Sequence, residues 1–297
     1  MPVKRFLASP WASVHGPSDP RRFLIWVLES RFAGLAASPG PRPMPWPALV
    51  ESAHDLPIGF AAVRAGSVLA EQSATRGMAS AKEGERQAAR QAVQQAVATA
   101  RILGCPTVVL EPGVVPVVGE VEAEDLGDPA CRWTPERAHA LLARRKVGRN
   151  GALDRVCREL YAIAKAFPDM EFCLTCGRSL RSVADLPTLL DIYEDLAKLH
   201  LGYWHDAAAC ARRNQVLGEA QGEWLELLGN RCRGFSLGDA SPDGMYLPPG
   251  SGGVDYSVVA SYVPRTGAPI PLVLDLDPAV SAGELAGIHS FLDKFGL

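Results

Sequence analysis

Short apolar runs alternate along the chain with longer segments in which apolar residues recur every three or four positions. The runs are Arg5–Ser9, Phe32–Ser38 (FAGLAAS), Ile58–Val63 (IGFAAV), Thr107–Leu110 (TVVL), Glu171–Thr175 (EFCLT), Leu201–His205 (LGYWH), Gly234–Leu237 (GFSL) and Pro271–Leu274 (PLVL). Runs this short and this continuously apolar suit strands buried on both faces of a parallel sheet. The segments between them predict helices over Ala81–Leu103, Gly151–Phe167, Pro187–His200, Glu219–Leu228 and Ser281–Lys294. In the first, Ala88, Ala89, Ala92, Ala96, Val97, Ala100 and Leu103 keep helical spacing among Gln, Arg and Glu, and Gly104 stops it. In the last, Ser281 stands as an N-cap with Glu284 at capping-box spacing.

A sustained β-α alternation means parallel strands joined by right-handed crossovers. Two closures compete, an open doubly wound sheet and a closed barrel. Eight strands within 297 residues favour the barrel. The open sheet wants a G-x-G-x-x-G turn after its first strand, and none follows one here. The expected fold class is therefore α/β, a (β/α)8 TIM barrel in a single domain over residues 1–297. Two segments stand apart. Residues 39–47 (PGPRPMPWP) cannot be helix or central strand. Residues 113–133 are long and acidic, and are expected to lie over the top face as a lid.

The composition, 47% hydrophobic and 21% charged, supports a large core. A net charge of −3 without a long basic stripe argues against a nucleic-acid partner. The basic stretch Arg144-Arg145-Lys146 with Arg149 is expected to be a solvated loop after a helix. No apolar run reaches the roughly 18 residues of a membrane span. Pro10, Trp11, His15 and Asp19 break the segment after Lys4 and Arg5, unlike a signal peptide, so a cytoplasmic location is expected. Seven scattered cysteines do not look like a disulfide framework. Cys173 and Cys176 form a lone C-x-x-C with no second pair, which favours buried or incidental thiols over a zinc site.

Four stretches carry a resemblance. Arg101–Gly113 (RILGCPTVVLEPG), Leu201–Ala211 (LGYWHDAAACA), Gly234–Gly253 (GFSLGDASPDGMYLPPGSGG) and Pro271–Pro278 (PLVLDLDP), in this order and spacing, resemble the xylose isomerase-like barrels, a family of sugar and sugar-phosphate isomerases and epimerases. The resemblance runs from about Ile58 onward. It implies a divalent metal, Mg²⁺ or Mn²⁺, at the C-terminal mouth, where it polarises a carbonyl or stabilises an enediolate while carboxylates move protons. The family's Glu ending the fifth strand falls here at Thr175. Its sixth-strand Asp is kept as Asp206, but the His three residues later is Ala209. Its seventh-strand His is Ser236, with Asp239 kept three residues on, and its eighth-strand Glu is Asp275. The resemblance thus implies a degenerate metal site, at which Asp206 and Asp275 alone would hold the ion weakly or not at all.

Asp206, Asp275 and Glu111 each end an apolar run, at the face where barrel enzymes place their chemistry, and are the acid/base candidates. Asp206 could equally cap a turn over Ala207–Arg213, and Glu111 could pair with a neighbouring loop. Asp277, before Pro278, reads as a turn residue. Thr175, Arg178, His205, Ser236 and Asp239 are the candidate substrate contacts, Arg178 through bidentate binding of a phosphate or carboxylate. On a strand His205 and Asp206 face opposite sides, so both line a pocket only if the strand has ended. Cys176 paired with His205 as a nucleophile is disfavoured. Gly250–Gly253 could cradle a phosphate or be a plain loop. Two functions remain open: a sugar isomerase or epimerase, or a non-catalytic barrel that binds a sugar-like ligand, forms a homo-oligomer or supports a partner subunit. An abasic-site endonuclease shares the fold but calls for a richer His/Asp/Glu set and a basic face.

Overall fold

Eight strands of the structure, a computed structural model that describes residues 4–66, 74–117, 125–264 and 269–297, run parallel and close on themselves. In chain order the elements are β1 (Arg5–Ala8), α1 (Ser9–His15), α2 (Pro20–Glu29), β2 (Gly34–Ala37), α3 (Trp46–Ala53), β3 (Gly59–Arg64), α4 (Glu83–Leu103), β4 (Thr107–Leu110), α5 (Pro135–Ala166) and β5 (Glu171–Leu174). They continue with α6 (Leu186–Asp195), β6 (Gly202–Asp206), α7 (Ala207–Leu217), α8 (Gln221–Leu228), β7 (Cys232–Leu237), β8 (Asp239–Ser241), β9 (Gly244–Leu247), α9 (Tyr256–Tyr262), β10 (Leu272–Leu274) and α10 (Leu285–Asp293). The barrel order is β1-β10-β7-β6-β5-β4-β3-β2, and β8-β9 is a small antiparallel hairpin beside it. The chain therefore folds as the expected (β/α)8 barrel, and every apolar run singled out in the sequence overlaps one of its strands. Among the described residues no helix is long and apolar enough to cross a membrane.

Three local expectations change. The helix expected from Gly151 begins at Pro135, with Thr134 capping it by accepting a hydrogen bond from Arg137 N at 3.2 Å. It runs through Gly148 and Gly151, so the Arg144–Arg149 stretch is helix rather than loop. Two interior glycines cost a helix about 1 kcal/mol each. Burial of Ala138, Leu141, Ala152, Val156, Leu160 and Ile163 along one face outweighs that cost. Arg145 is itself buried, ion-paired to Asp185 at 2.7 Å and donating to Ser182 O at 2.8 Å. The proline-rich segment stays irregular only to Pro45. Trp46 and Pro47 enter the first turn of α3, where proline lacks no needed N–H. Ser281 does cap the last helical segment, but its hydroxyl accepts from Gly283 N at 3.3 Å, and the first turn is 3₁₀.

Within 113–133 the described residues lie along the loop after β5. Val114 bridges to Ser182, Asp125 bridges to Ser179, and Leu126 N donates to Arg178 O at 2.7 Å. Residues 118–124, the middle of the expected lid, lie outside the described residues.

Two cores result. The larger packs helices against the outer face of the barrel. The smaller fills the barrel axis with Ala8, Ala36, Ala62, Val109, Cys173, Trp204 and Val273, one from each of seven strands. Small side chains around one large ring make a packed layer, not a pore. Gly234 on β7 makes room for that ring: a Cβ there would sit 2.3 Å from the Trp204 indole. Gly234→Ala is therefore expected to destabilise the barrel by about 1–3 kcal/mol through overpacking. Urea unfolding checks this, and an unchanged midpoint would show that the indole yields freely.

Candidate functional site

On a strand, side chains two positions apart share a face. Two residues beyond the axial layer therefore comes a second inward ring: Ser38, Arg64, Glu111, Thr175, Asp206 and Asp275, with Ser236 two beyond Gly234. The ladder continues far enough to keep this phase. Thr175 N donates to Leu110 O at 3.0 Å, and Asp275 N donates to Leu237 O at 2.9 Å. The apolar layer is the floor of the mouth and the polar ring is its lining.

Arg64 occupies the centre of that lining. Its Nη2 donates to Ser236 Oγ at 3.2 Å and to Asp206 Oδ2 at 3.4 Å, and lies 3.7 Å from Asp275 Oδ2. Trp204 Nε1 donates to the same Ser236 Oγ at 3.0 Å, tying the floor to the lining. Asp206 does two jobs at once. Its Oδ1 caps α7 through Ala209 N at 3.0 Å, while its Oδ2 faces Arg64 and accepts from Tyr246 OH at 3.2 Å. Asp275 is less committed, and its side chain is 15% exposed against 1% for Asp206. Burial pushes the Asp275 carboxyl up to about 6, against the pull of Arg64 and with the Asp206 charge adding to the rise. Burial works against the charge of Arg64, but Tyr246, Asp275 and Asp206 overcome it and hold its pKa above the ordinary value.

Tyr246 reaches the mouth from β9 with φ +61°, a backbone conformation unfavourable for a side chain of its size. Its O accepts from Asp277 N at 2.8 Å, and the Arg178 guanidinium lies 5.6 Å from its ring centre. Arg178 also pairs with Asp125 at 3.0 Å. Glu111 is packed against the backbone of Gly177, where any side chain would collide with its carboxylate. The Thr175 hydroxyl is buried with no hydrogen-bond partner among the described residues.

The structure does not bring every sequence candidate to the mouth. His205 points behind the barrel wall, as strand phase requires: its Nδ1 is 2.9 Å from Tyr203 OH, and its ring packs edge-on to Phe235. It faces Cys210, 4.0 Å away, rather than Cys176. Cys176 sits 3.8 Å from Cys210, and that contact together with burial pushes its thiol well up, against a nucleophilic role. Asp239 is turned toward backbone, its Oδ1 accepting from Ala240 N and Val254 N and its Oδ2 from Gly250 N, each at 2.9 Å. That carboxylate shapes the glycine loop instead of lining the mouth. Three of the four loop amides are engaged as well, Gly250 on Asp239, Ser251 on Pro248 O and Gly253 on Ala240 O, which argues against an open phosphate cradle. Asp277 accepts from Ala279 N at 2.8 Å, as a turn residue does.

Three residues of the site were missed in the sequence: Arg64, Trp204 and Tyr246. Arg64 had a signal. It follows Phe60 and Ala62 in phase on the third strand, but that strand read as ending at Val63. Tyr246 had none, because it arrives from a hairpin outside the alternation.

A cleft of about 240 Å³ leads to Arg64 from outside, between Ser38, Met44 and Trp46 on one wall and Gln95 and Thr99 on the other. Inside the ring, among Ala36, Ala62, Trp204 and Ser236, the hollow is only about 10 Å³. The donor set does not fit the family's metal. Three of its expected ligand positions, Asp206, Ser236 and Asp275, converge on a guanidinium, and no group of three or more His, Cys, Asp or Glu side chains among the described residues could hold an ion.

No family model and no curated protein matches the chain by sequence. Solved structures match along nearly its whole length. A D-tagatose 3-epimerase-like protein superposes with a TM-score of 0.68 at 16% identity, covering 98% of this chain and 96% of that one. D-psicose 3-epimerase with D-tagatose from Clostridium cellulolyticum H10 gives 0.66 at 12%, covering 99% and 98%. An AP endonuclease, family 2, from Brucella melitensis gives 0.59 at 15%, covering 99% of each chain. At identities this low the likeness is one of fold, a closed (β/α)8 barrel shared along nearly the whole chain.

The raised Asp275 carboxyl predicts a pH dependence. The folded state keeps a proton up to about 6 that the unfolded chain releases near 3.8. Between those values the unfolded state binds fewer protons, so stability falls as pH rises and the loss is complete above the folded value. Asp275→Asn removes this component. Urea midpoints measured from about pH 4 to 7 are expected to show wild type losing ground to the variant across that window, and a pH-independent difference would refute the shift.

Proposed function

We propose that the barrel mouth binds a small hydroxycarbonyl compound of the sugar class and moves a proton on it, in isomerase or epimerase fashion, with no bound metal. The observation that carries this reading is the pair Asp206 and Asp275, held on one guanidinium that also lines the outer cleft. A sugar epimerase fold in the superposed neighbours supports it. Asp275 is the carboxylate for proton transfer, since Asp206 is committed to Ala209 N, Tyr246 and Arg64. General acid–base work favours a group titrating near the working pH, and Asp275 at about 6 meets that condition. Glu111 follows β4, across the barrel from β10, and the buried Thr175 hydroxyl is available to a ligand oxygen.

One mobile proton on one carboxylate suits transfer between adjacent carbons on a single face, as in an isomerisation. Epimerisation needs a second group on the other face, a part left to Glu111. Seven free cysteines, six of them buried, support a reducing compartment such as the cytoplasm.

The non-catalytic alternative draws on a different observation. The inner hollow holds about one water, so a sugar-sized ligand would occupy the outer cleft. Proton NMR of D-tagatose and D-fructose incubated with the protein in D₂O separates the two readings. Proton transfer gives loss of the C–H signal next to the carbonyl, slowed about 10²-fold or more by Asp275→Asn. Saturable binding with no exchange at any pH from about 5 to 8 would leave a ligand-binding barrel without catalysis.

A further inference from the structure

Arg64 is unexplained by the family pattern. It ends β3, its side chain is a quarter exposed and lines the cleft, and it sits against Asp206, Ser236 and Asp275. These are three of the four strand-end positions where the resemblance expects metal ligands, and the fourth, Thr175, carries a hydroxyl in place of a carboxylate. A guanidinium keeps its charge at any working pH and presents several donors in a fixed plane. The changes at the other positions follow from having it there. A His at position 236 would bring a bulky ring against a permanent cation, whereas serine accepts from both Arg64 and Trp204. A Glu at position 275 would be a methylene longer in a ring whose inner hollow is already about 10 Å³.

We propose that Arg64 is the resident cation of the mouth: it holds Asp206 and Asp275 together in place of a divalent ion, and it takes the carbonyl oxygen of the bound hydroxycarbonyl compound. The second half rests on the functional reading above. The chemistry balances without any further reactant. Asp275 removes the proton on the carbon next to the carbonyl, that C–H pair becomes the C=C bond, and the carbonyl π pair moves onto oxygen beside Arg64. The neighbouring hydroxyl gives its proton to that oxygen as its own C=O bond forms, and the C=C pair recovers the proton from Asp275 at the other carbon. A fixed guanidinium aimed at the developing oxyanion supplies electrostatic stabilisation that needs no reorganisation.

The test begins with the ion alone. Manganese is titrated into chelator-treated wild type, Arg64→Gln and Arg64→Ala, with free Mn²⁺ followed by electron paramagnetic resonance and folding checked by circular dichroism. Arg64→Lys is carried as a charge-conserving variant in case the neutral ones do not fold. Wild type and Arg64→Lys are expected to bind no Mn²⁺ below about 1 mM, and the neutral variants to bind it on the order of tenfold more tightly, because two carboxylates lose their counter-ion. Micromolar Mn²⁺ binding by wild type that Asp206→Ala abolishes overturns the proposal, as does equal affinity in wild type and the neutral variants. Deuterium exchange into D-tagatose supplies the second readout. Wild type is expected to be indifferent to EDTA, and Arg64→Gln to be slower by about 10²–10³-fold. Exchange lost on EDTA treatment and restored by Mn²⁺ also overturns it. Absence of exchange in every form refutes the hydroxycarbonyl reading, while the Mn²⁺ titration still decides whether Arg64 is the cation.

Discussion

Closing eight parallel strands into a barrel forces every second side chain onto a common axis, and the rest of this molecule follows from how that axis is filled. One large ring, Trp204, occupies it, and it fits because its neighbours are Ala8, Ala36, Ala62, Gly234 and Cys173. The ring forms a dry floor. Whatever stands one pleat higher is at the mouth, in a low-dielectric setting open to solvent on one side only. The indole N–H donates upward to Ser236, so the floor and the lining are held in register by one hydrogen bond.

Charges in such a place need compensation. Burying a carboxylate or a guanidinium alone costs several kcal/mol, and the penalty falls when they face one another with hydrogen bonds in place. Arg64, Asp206 and Asp275 meet that requirement together, with Ser236 and Tyr246 supplying the remaining contacts. The compensation is uneven. Asp206 is saturated by a helix cap, a phenol and a guanidinium, whereas Asp275 has the longer contact and the more open position. The uneven sharing leaves one carboxylate fully engaged and the other more open on the same cation. The strained backbone at Tyr246 belongs to the same arrangement, since it brings a phenol from outside the barrel over the charged group.

The glycine loop and Asp239 show a contrasting outcome. Here a carboxylate at the end of a barrel strand is turned away from the axis and satisfies three backbone amides. Position at a strand end is therefore insufficient for a residue to join the site. Phase decides membership: Asp206 and Ser236 stand two residues beyond an axial residue, and Asp239 does not.

Much of the barrel was legible in the order of residues because strand burial on both faces leaves runs such as TVVL and PLVL that nothing else in a soluble chain requires. Asp206, Ser236, Thr175 and Asp275 were legible for the same reason, since each stands within or just after such a run. His205 was counted among the candidate contacts although strand period already put it on the side opposite Asp206, and the folded structure leaves it behind the barrel wall. The helix over Pro135–Ala166 was only half legible, because local propensity penalises Gly148 and Gly151 and the compensating burial comes from distant elements. Arg64 could be placed only by tertiary structure. Along the chain it is one arginine after an apolar run, and its role comes from β6, β7 and β10, whose ends lie more than 140 residues away in sequence. The sequence by itself determined a closed barrel and acids at its rim, because periodic burial is a local pattern. Which cation those acids face was decided by the folded structure, because long-range charge pairing leaves no local trace.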